Sequence, residues 1–409
     1  MKIIINSSTF KETSQDKITD VINNLVDSLI ENNQTMKISI LKPMSTSGEK
    51  YINSDRFDIY CYRYFFLKKY QTFSSIGIKP SIQSNFLNIF KLIFLLISQY
   101  FSLNKLVKKT SPDLIYAHWF FPQAIITYLI ARKHNIRFAF TSHGSDVQII
   151  NNLGPVGKKI IRTVVNNSYK YTAVSQLTLN EINKNFKENE LQSEKYKVIP
   201  MGIDEKYFDV ENRSIKPVTI NKSLNLTYVG RLIDYKGIDL IINVISNLKN
   251  KNINSNLNIL GTGILEKKLK ELSKNLGVSN NVTFHGFKNF EEKLELIKNS
   301  DLFIIPSRKT KLQLEGGPLT LIESMAVGGV CLVSDSIGFI SYCNEKNSLI
   351  FESDNIDSLN SKIIEYLKIN ENEIKSIKKN ANKTSQFFRF SNIGKLHYDF
   401  LLKNLEINF

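Results

Sequence analysis

The segment Glu315-Gly316-Gly317-Pro318-Leu319-Thr320-Leu321-Ile322-Glu323 places two carboxylates, with seven residues between them, around the predicted start of a helix. Pro318 suits the first helical position, where its missing N–H is no loss, and Gly316 and Gly317 let the backbone approach a ligand closely. An apolar run just upstream, 302–307, predicts a strand. The segment therefore predicts a strand, a loop and a helix, as at the edge of an open α/β sheet.

A helix start of this kind favours phosphate, because its free N–H groups and the positive end of its dipole point at the ligand. Carboxylates do not bind phosphate directly, so Glu315 and Glu323 are expected to accept hydrogen bonds from hydroxyl groups. Phosphate together with two sets of hydroxyls indicates a nucleotide sugar. The alternative is an ordinary helix start with solvated acids.

A second predicted strand, 226–229, leads into a loop that carries Arg231 and Lys236. Ligands bind at such strand ends in open α/β sheets, and two cations beside a helix start suit a diphosphate. A third loop, Gly261-Thr262-Gly263, also joins a strand to a helix. A single G-x-G or a single surface cation is weak, but three such loops on successive strands predict one site.

The length of 409 residues suits two domains of about 200 residues each. A hydrophobic content of 42% supports sizeable cores. Cys61, Cys331 and Cys343 have neither metal-ligand spacing nor an evident disulfide pattern, which fits a reducing cytosol. The first six residues predict a short strand rather than a signal peptide, so we expect a cytoplasmic protein.

Short apolar runs alternate with helical patterns along the chain, which predicts an α/β protein with two doubly wound, Rossmann-like parallel sheets. In the first half the predicted strands are 2–6, 37–41, 57–62, 113–118, 138–143, 169–174 and 197–199. In the second half they are 225–229, 256–260, 282–286, 302–306, 330–334 and 348–351.

The predicted domains are 1–208 and 224–386, joined by a polar linker at 209–223 that contains Pro217. The segment 387–409 predicts a helix that packs back toward the first domain. Two such domains facing each other would leave a cleft between two sets of strand ends, and that cleft is the expected site.

Lys and Arg number 54 against 38 Asp and Glu, a formal charge of +16, which attracts polyanions. No nucleic-acid motif occurs, so an anionic membrane surface is the favoured partner and nucleic acid is not expected. Residues 60–70 interleave aromatic side chains with cations, and 86–106 predicts a very apolar helix that ends in Lys108 and Lys109. Polar residues interrupt it, so we expect an interfacial helix or a helix packed on the first sheet, not a membrane span.

Six ordered motifs together resemble the GT-B-fold glycosyltransferases of family 4, in their exopolysaccharide, colanic-acid-type branch. The motifs are Thr141-Ser142-His143-Gly144-Ser145-Asp146, Val198 to Asp204, Gly230-Arg231 with Lys236-Gly237, Gly261-Thr262-Gly263, Val282 to Gly286, and the two-glutamate segment through Met325-Ala326. The resemblance spans nearly the whole chain.

The resemblance implies a retaining transferase that moves a sugar from a UDP- or GDP-linked donor without a metal or another cofactor. No D-x-D sequence occurs, which agrees with metal independence. The implied acceptor is a glycan or an undecaprenyl-diphosphate-linked glycan of bacterial surface polysaccharide synthesis. The implied location is the cytoplasm, including the inner face of the plasma membrane.

Site roles follow from the resemblance. Arg231 and Lys236 hold the donor diphosphate, Glu315 the hydroxyls of the transferred sugar, and Glu323 the ribose diol. His143, from the first domain, lies near the reacting centre. The catalytic set is therefore His143, Glu315, Lys236 and Arg231, and the donor-binding set adds Gly263, Gly316, Gly317, Pro318, Leu319, Thr320 and Glu323.

The acceptor side departs from the family pattern, because the loop after the first strand, 6–14, lacks a glycine pair. Ser7, Ser8 and Thr9 remain as hydrogen-bond donors there. The segment 118–122 is expected to line the same cleft, with Trp119 or Phe120 stacking on a sugar or packing in the core. His118 and Asp146 complete this set, with Asp146 as a candidate to orient His143.

Two other functions share this architecture. A nucleotide-sugar epimerase would place its catalytic acids and bases elsewhere and would have no acceptor surface. A catalytically silent partner subunit would lack some of the four donor-site side chains, yet Arg231, Lys236, Glu315 and Glu323 are all present. A transferase is the favoured interpretation.

Overall fold

The computed structural model of the chain describes residues 1–11, 20–45, 51–53, 56–67, 70–73, 88–187, 190–209, 223–310 and 313–406. Contacts divide it into two compact units, one of Met1–Asp204 with Phe390–Phe409 and the other of Glu205–Arg389. The sequence-based boundaries were 208 and 387, so the first unit ends four residues earlier and resumes three residues later. Most of the predicted linker, 210–222, lies outside the described residues.

The first unit contains an eight-stranded sheet in the order β3-β4-β2-β1-β5-β6-β7-β8, parallel except for β3, which is antiparallel to β4. The strands are β1 (Lys2–Asn6), β2 (Lys37–Pro43), β3 (Tyr51–Asn53), β4 (Phe57–Tyr62), β5 (Leu114–His118), β6 (Arg137–Ser142), β7 (Lys170–Ala173) and β8 (Tyr196–Val198). The sequence did not predict β3, because three residues are too few to show an alternating pattern.

Helices cover this sheet, and the apolar runs of its central strands are buried, as in parallel sheets covered on both faces. Ile3, Ile4 and Ile5 of β1 are at most 1% exposed. Among the described residues up to 204, the α-helices are α1 (Val21–Asn32), α2 (Asn88–Thr110), α3 (Ile125–His134), α4 (Ser145–Asn151), α5 (Pro155–Asn167) and α6 (Gln176–Asn183).

The second unit contains a six-stranded parallel sheet in the order β11-β10-β9-β12-β13-β14. Its strands are β9 (Leu224–Val229), β10 (Ser255–Leu260), β11 (Val282–Gly286), β12 (Leu302–Ile305), β13 (Cys331–Ser334) and β14 (Leu349–Phe351). Its α-helices, in the part of the unit that the structure describes, are α7 (Ile238–Asn250), α8 (Glu266–Asn275), α9 (Phe290–Lys298), α10 (Leu319–Ala326), α11 (Ile356–Tyr366) and α12 (Glu371–Ser385). The predicted α/β class with two doubly wound sheets is confirmed.

The C-terminal segment returns to the first unit as α13 (Phe390–His397) and α14 (Lys403–Glu406). The hydroxyl of Ser28 on α1 donates to the Phe390 carbonyl at 2.7 Å. A Cβ on Gly394 would lie 2.0 Å from the same hydroxyl oxygen, so α13 and α1 approach as closely as a glycine allows.

Each sheet has one point at which the strand order reverses. In the first unit β1 lies between β2 and β5, and in the second unit β9 lies between β10 and β12. The crossovers on either side of such a strand run to opposite faces, which opens a crevice at its carboxyl end, where ligands bind in open α/β sheets. The loops after β9 and β12, and those after β1 and β5, are therefore the places to look for a site.

Candidate active site

Arg231 lies in the loop that follows β9. The Tyr228 hydroxyl donates to the Arg231 carbonyl at 3.0 Å, which ties the loop to its own strand. The Arg231 guanidinium, exposed at the surface, donates to the Tyr235 hydroxyl at 3.2 Å. Its remaining N–H groups form a planar fork of the kind that binds phosphate oxygens.

Lys236 lies further along the same loop and forms an ion pair with Glu315 of the loop after β12. The side chains are only 14% and 9% exposed. The Ser307 hydroxyl donates to the same Glu315 oxygen at 3.0 Å. Burial opposes the charge on Lys236, but the adjacent Glu315 carboxylate outweighs it and raises the pKa of the lysine. A cation and a carboxylate from neighbouring strand ends thus meet at the reversal point of the sheet.

Glycines let the loops of this site pack backbone against backbone. Gly237 has φ +66°, and a Cβ there would lie 2.1 Å from the Pro306 carbonyl oxygen. A Cβ on Gly263 would lie 2.3 Å from the Leu232 carbonyl oxygen, so the loop after β10 rests directly on the loop after β9. The three predicted loops are therefore brought together in one place.

The start of α10 supplies the expected backbone donors, since the first N–H groups of a helix have no partner within it. Pro318 caps this helix with φ −75° and ψ 98°, and Leu319 is its first residue. The sequence-based placement of Pro318 at the first helical position is therefore one residue too early. A Cβ on Gly317 would lie 2.5 Å from the Phe339 ring, and Glu315 accepts from the Gly338 N–H at 2.7 Å through its carbonyl. These contacts hold Gly316 and the partly exposed Leu319 and Thr320 beside Glu315.

Glu323 lies within α10, one turn beyond Thr320, and pairs with Lys293 of α9. The Lys293 ammonium lies 3.0 Å from a carboxylate oxygen of Glu323, and the two side chains are 20% and 15% exposed. The ammonium also lies 5.0 Å from the ring centre of Tyr207. The sequence did not single out Lys293, because only tertiary packing brings α9 beside α10. Its placement identifies a cation that holds the second glutamate.

The first unit brings His118, Trp119 and His143 together at the ends of β5 and β6. His118 is fully buried, and its Nδ1 lies 3.2 Å from Nε2 of His143. The Trp119 ring stacks on the His143 ring, with centroids 4.5 Å apart at 26°. Trp119 has φ +77°, a conformation that is costly for a bulky residue, and its N–H donates to the Thr141 carbonyl at 2.9 Å.

The histidines of this cluster are neutral at physiological pH. Burial lowers the pKa of His143 to about 3. Burial, followed by the neighbouring His143 and His397, lowers the pKa of His118 well below its usual value. His397 of α13, also lowered to a pKa of about 3 by burial, contacts the Tyr116 hydroxyl through Nδ1 at 3.0 Å. A neutral imidazole carries one donor and one acceptor, so this contact couples the two tautomers: one of the two facing nitrogens carries the proton and the other accepts it.

Asp146 acts on the backbone around the histidine. Its Oδ2 accepts from the Phe120 N–H at 2.6 Å and from the His143 N–H at 3.2 Å, and its Oδ1 accepts from the Ser142 hydroxyl at 2.9 Å. Burial raises the pKa of Asp146, although these hydrogen bonds oppose the shift. Asp146 thus holds the main chain of His143, and the contact to the imidazole comes from His118.

The loop after β1 is held by its own hydrogen bonds. The Ser7 hydroxyl is buried, donates to the Thr9 carbonyl at 2.5 Å and accepts from the Thr9 N–H at 3.2 Å. Ser8 and Thr9 are partly exposed.

Phe120 is fully buried and packs edge-on against Phe140, with ring centroids 5.4 Å apart. It therefore packs in the core and does not stack on a sugar, and Trp119 remains the candidate for stacking.

Two family profiles match the chain. The one described as "Glycosyl transferases group 1" matches residues 210–384, and the one described as "Glycosyltransferase Family 4" matches residues 57–207. The first profile includes the loops after β9, β10 and β12, and the second includes His118, Trp119 and His143.

Among curated proteins, the chain is 29% identical over 187 residues to a putative colanic acid biosynthesis glycosyltransferase, WcaL, of Salmonella typhimurium. It is 31% identical over 147 residues to the amylovoran biosynthesis glycosyltransferase AmsK of Erwinia amylovora. These alignments cover 45% and 36% of this chain and 45% and 35% of the relatives. The chain thus matches less than half the length of either relative.

Solved structures match over nearly the full length. Sucrose-phosphate synthase from Thermosynechococcus elongatus superposes with a TM-score of 0.74 at 14% identity, covering 100% of both chains. HepE from Anabaena in complex with UDP and glucose superposes with a TM-score of 0.66 at 15% identity, covering 98% of this chain and 99% of the other. At these identities the likeness establishes the fold, which is the predicted GT-B fold.

Proposed function

We propose that this chain, which belongs to the family 4 glycosyltransferases, transfers a sugar from a nucleoside-diphosphate sugar to a glycan acceptor. The observation that carries the proposal is the meeting of Arg231, Lys236 and Glu315 at the reversal point of the second sheet. Cations and a helix start bind a diphosphate, and a carboxylate beside them binds sugar hydroxyls.

The chemistry follows from where charge develops. Cleavage of the bond between the sugar and the diphosphate leaves negative charge on the leaving group, and Arg231, Lys236 and the N–H groups at the start of α10 stabilise it. These groups stand in for a divalent ion, so we propose that neither a metal nor another cofactor is needed. Glu315 holds the transferred sugar, and Glu323, oriented by Lys293, holds the ribose diol.

Retention of configuration is part of the proposal. In a front-face reaction, the acceptor hydroxyl attacks from the side that the diphosphate leaves, and a donor phosphate oxygen takes the hydroxyl proton. Such a reaction needs no enzyme nucleophile. His143, neutral and held by His118, supplies a hydrogen bond rather than a charge near the reacting centre.

We propose a UDP- or GDP-linked donor and a glycan or undecaprenyl-diphosphate-linked glycan acceptor, in synthesis of a bacterial surface polysaccharide. Relatives named as colanic acid (putative) and amylovoran biosynthesis glycosyltransferases support this choice. The proposed location is the cytoplasm and the inner face of the plasma membrane, with Ser8, Thr9 and Trp119 on the acceptor side.

A donor screen tests the proposal. Purified protein is incubated with individual UDP- and GDP-sugars, with and without short glycan or undecaprenyl-linked acceptors, and release of nucleoside diphosphate is measured. We expect release that depends on acceptor and is lost in Glu315→Gln. Conversion of the donor to an epimer without acceptor would show an epimerase, and no turnover of any donor by a folded protein would favour a silent subunit.

A further inference from the structure

Helix α2 presents a row of large apolar side chains to solvent. Phe90, Ile93, Phe94, Ile97 and Phe101 are 58%, 50%, 49%, 50% and 65% exposed. Their spacing of three or four residues places them on one face of the helix. Single exposed apolar residues are ordinary, but a continuous row on one helix indicates an interaction surface.

The opposite face of α2 is fixed to the first unit. Leu95 and Leu103 are at most 1% exposed and belong to its core. The buried Gln99 donates to the Asn6 side chain of β1 at 3.1 Å. By length and composition α2 could cross a membrane, because it is 23 residues long and strongly apolar. Because one face of α2 packs on the sheet of the first unit, α2 lies along that unit and its opposite face can contact another surface.

The turn after β4 extends the row. Phe66, Leu67 and Tyr70 are 70%, 44% and 41% exposed. The Phe65 ring bridges the turn and the helix, with centroids 6.0 Å from Tyr70 and 6.1 Å from Phe94. We call the eight exposed side chains the α2 apolar face: Phe66, Leu67, Tyr70, Phe90, Ile93, Phe94, Ile97 and Phe101.

The charged residues of this part of the sequence are all of one sign. Residues 59–112 contain eight Lys and Arg and no Asp or Glu, so +8 of the net charge of +16 lies in 54 of the 409 residues. The Lys91 ammonium lies 5.1 Å from the ring centre of Tyr70, at the edge of the apolar face. Lys105 and Lys108, toward the end of α2, are exposed. An apolar row with Lys91, Lys105 and Lys108 on the same helix complements a surface that is apolar inside and anionic outside.

We propose that the α2 apolar face docks on the surface of an anionic phospholipid bilayer, with α2 lying in the plane of the interface. Phe and Ile side chains enter the boundary between headgroups and acyl chains, while the flanking lysines contact lipid phosphates. The inference is independent of the transferase proposal, because it uses none of the donor-site residues. It places the first unit, rather than the donor-binding unit, against the membrane.

Co-sedimentation with vesicles of phosphatidylglycerol and phosphatidylcholine tests the proposal. The variant Ile93→Gln/Ile97→Gln/Phe101→Gln removes apolar surface from exposed positions and keeps good helix formers, so the fold should survive. We expect its partition coefficient to fall by roughly tenfold or more, because each apolar side chain adds to burial in the interface. The matched control, Leu153→Gln/Val156→Gln, changes exposed apolar residues elsewhere on the first unit and should bind as the wild type does. Equal loss in both variants would overturn the proposal.

A double lysine variant measures the electrostatic contribution to vesicle binding. Lys105→Gln/Lys108→Gln should bind severalfold more weakly and show a smaller salt dependence, whereas Lys379→Gln/Lys383→Gln, on α12 of the second unit, should not. Binding to neutral vesicles as strong as to anionic ones would contradict the proposal. The protein's oligomeric state in the absence of lipid gives a second check. If the wild type is a dimer and the α2 triple variant is a monomer, a second copy of the chain covers the face, which would also contradict the proposal.

Donor turnover with a water-soluble acceptor distinguishes this inference from the proposed function. The α2 triple variant should keep wild-type release of nucleoside diphosphate while losing vesicle binding. A wild-type protein that binds vesicles but turns over no donor would leave the docking surface standing and remove the transferase. One that turns over donor and ignores vesicles would do the reverse.

Discussion

The ion pair between Lys236 and Glu315 can be tested by a double-mutant cycle with Lys236→Met, Glu315→Gln and the double variant. The pair is 14% and 9% exposed, so each single change leaves a largely buried group without its main partner. Breaking a buried pair costs about 3–5 kcal/mol. Glu315 keeps its hydrogen bond from Ser307, and both groups retain some exposure, so we expect about 1–3 kcal/mol for each single variant.

The double variant should be less destabilised than the sum of the singles, by roughly 1–2 kcal/mol, because neither group is then stranded. Turnover should behave differently. If both side chains contact the donor, each single variant lowers kcat by about a hundredfold or more, and the double variant shows no recovery. If the double variant is less destabilised than the sum of the single variants but its kcat does not recover, the pair is both structural and catalytic.

Urea unfolding at pH 7.5 and release of nucleoside diphosphate at saturating donor measure the two quantities. The raised pKa of Lys236 means that its pairing is fully present at this pH and is lost only as the pH rises through that pKa. The exposed pair of Lys362 with Glu365 on α11 is the control, with expected coupling of about 0.5 kcal/mol or less and unchanged turnover. Additive single variants, or a double variant with restored activity, would refute the assignment.

Three further outcomes are expected. Activity should survive excess EDTA, and complete loss that Mg²⁺ or Mn²⁺ restores would overturn the metal-free mechanism. Glu323→Gln should raise the donor KM by roughly ten- to a hundredfold with a smaller effect on kcat. Lys293→Met should raise KM less, because the carboxylate of Glu323 remains. Loss of kcat with unchanged KM in Glu323→Gln would contradict the ribose role. As pH falls from 6.5 toward 5, a histidine that is buried in its neutral form becomes protonated only when the protein unfolds. Each such histidine should therefore lower the free energy of unfolding by up to about 1.4 kcal/mol per pH unit. His397→Phe, measured by urea unfolding across this range, should reduce that slope, and an unchanged slope would show that His397 is not buried in its neutral form.

The strands were predictable because a parallel sheet covered on both faces imposes continuous apolar runs. The predictions for β1, β4 and β11 match their observed bounds. Where the bounds differ, as for β2, which extends to Pro43, the difference is one or two residues at a strand end, where pairing depends on the neighbouring strand. The edge strand β3 carried no such signal, since its pairing to β4 involves three residues.

The position of the loops that carry Arg231, Lys236 and Glu315 was predictable for a related reason. Parallel strands end at one edge of the sheet, so Arg231, Lys236 and Glu315 had to lie at that edge once their strands were identified. Their partners were not predictable, because Ser307 and Lys293 are ordinary residues until packing brings them within hydrogen-bond distance of the glutamates. Local sequence places a side chain on an element, and only tertiary structure selects which elements touch.

The helix α2 shows where two interpretations of one pattern coexist. Its sequence suited both an interfacial helix and a helix packed on the first sheet. The structure shows the packing directly, through Leu95, Gln99 and Leu103, and leaves the other face exposed through Phe90 and Phe101. A strongly apolar helix can therefore satisfy a core with one face and still carry a second surface, which composition alone does not reveal.

The histidine cluster shows how burial changes the role that a motif suggests. His143 stands in a sequence motif that marks a reacting centre, and a histidine there invites the assumption of a charged acid. His118 and Trp119 contact the imidazole, and burial lowers its pKa to about 3, so in the proposed reaction His143 would act as a neutral hydrogen-bonding group. In the proposed reaction, the positive charge that a departing diphosphate requires would then come from Arg231 and Lys236 rather than from a histidine.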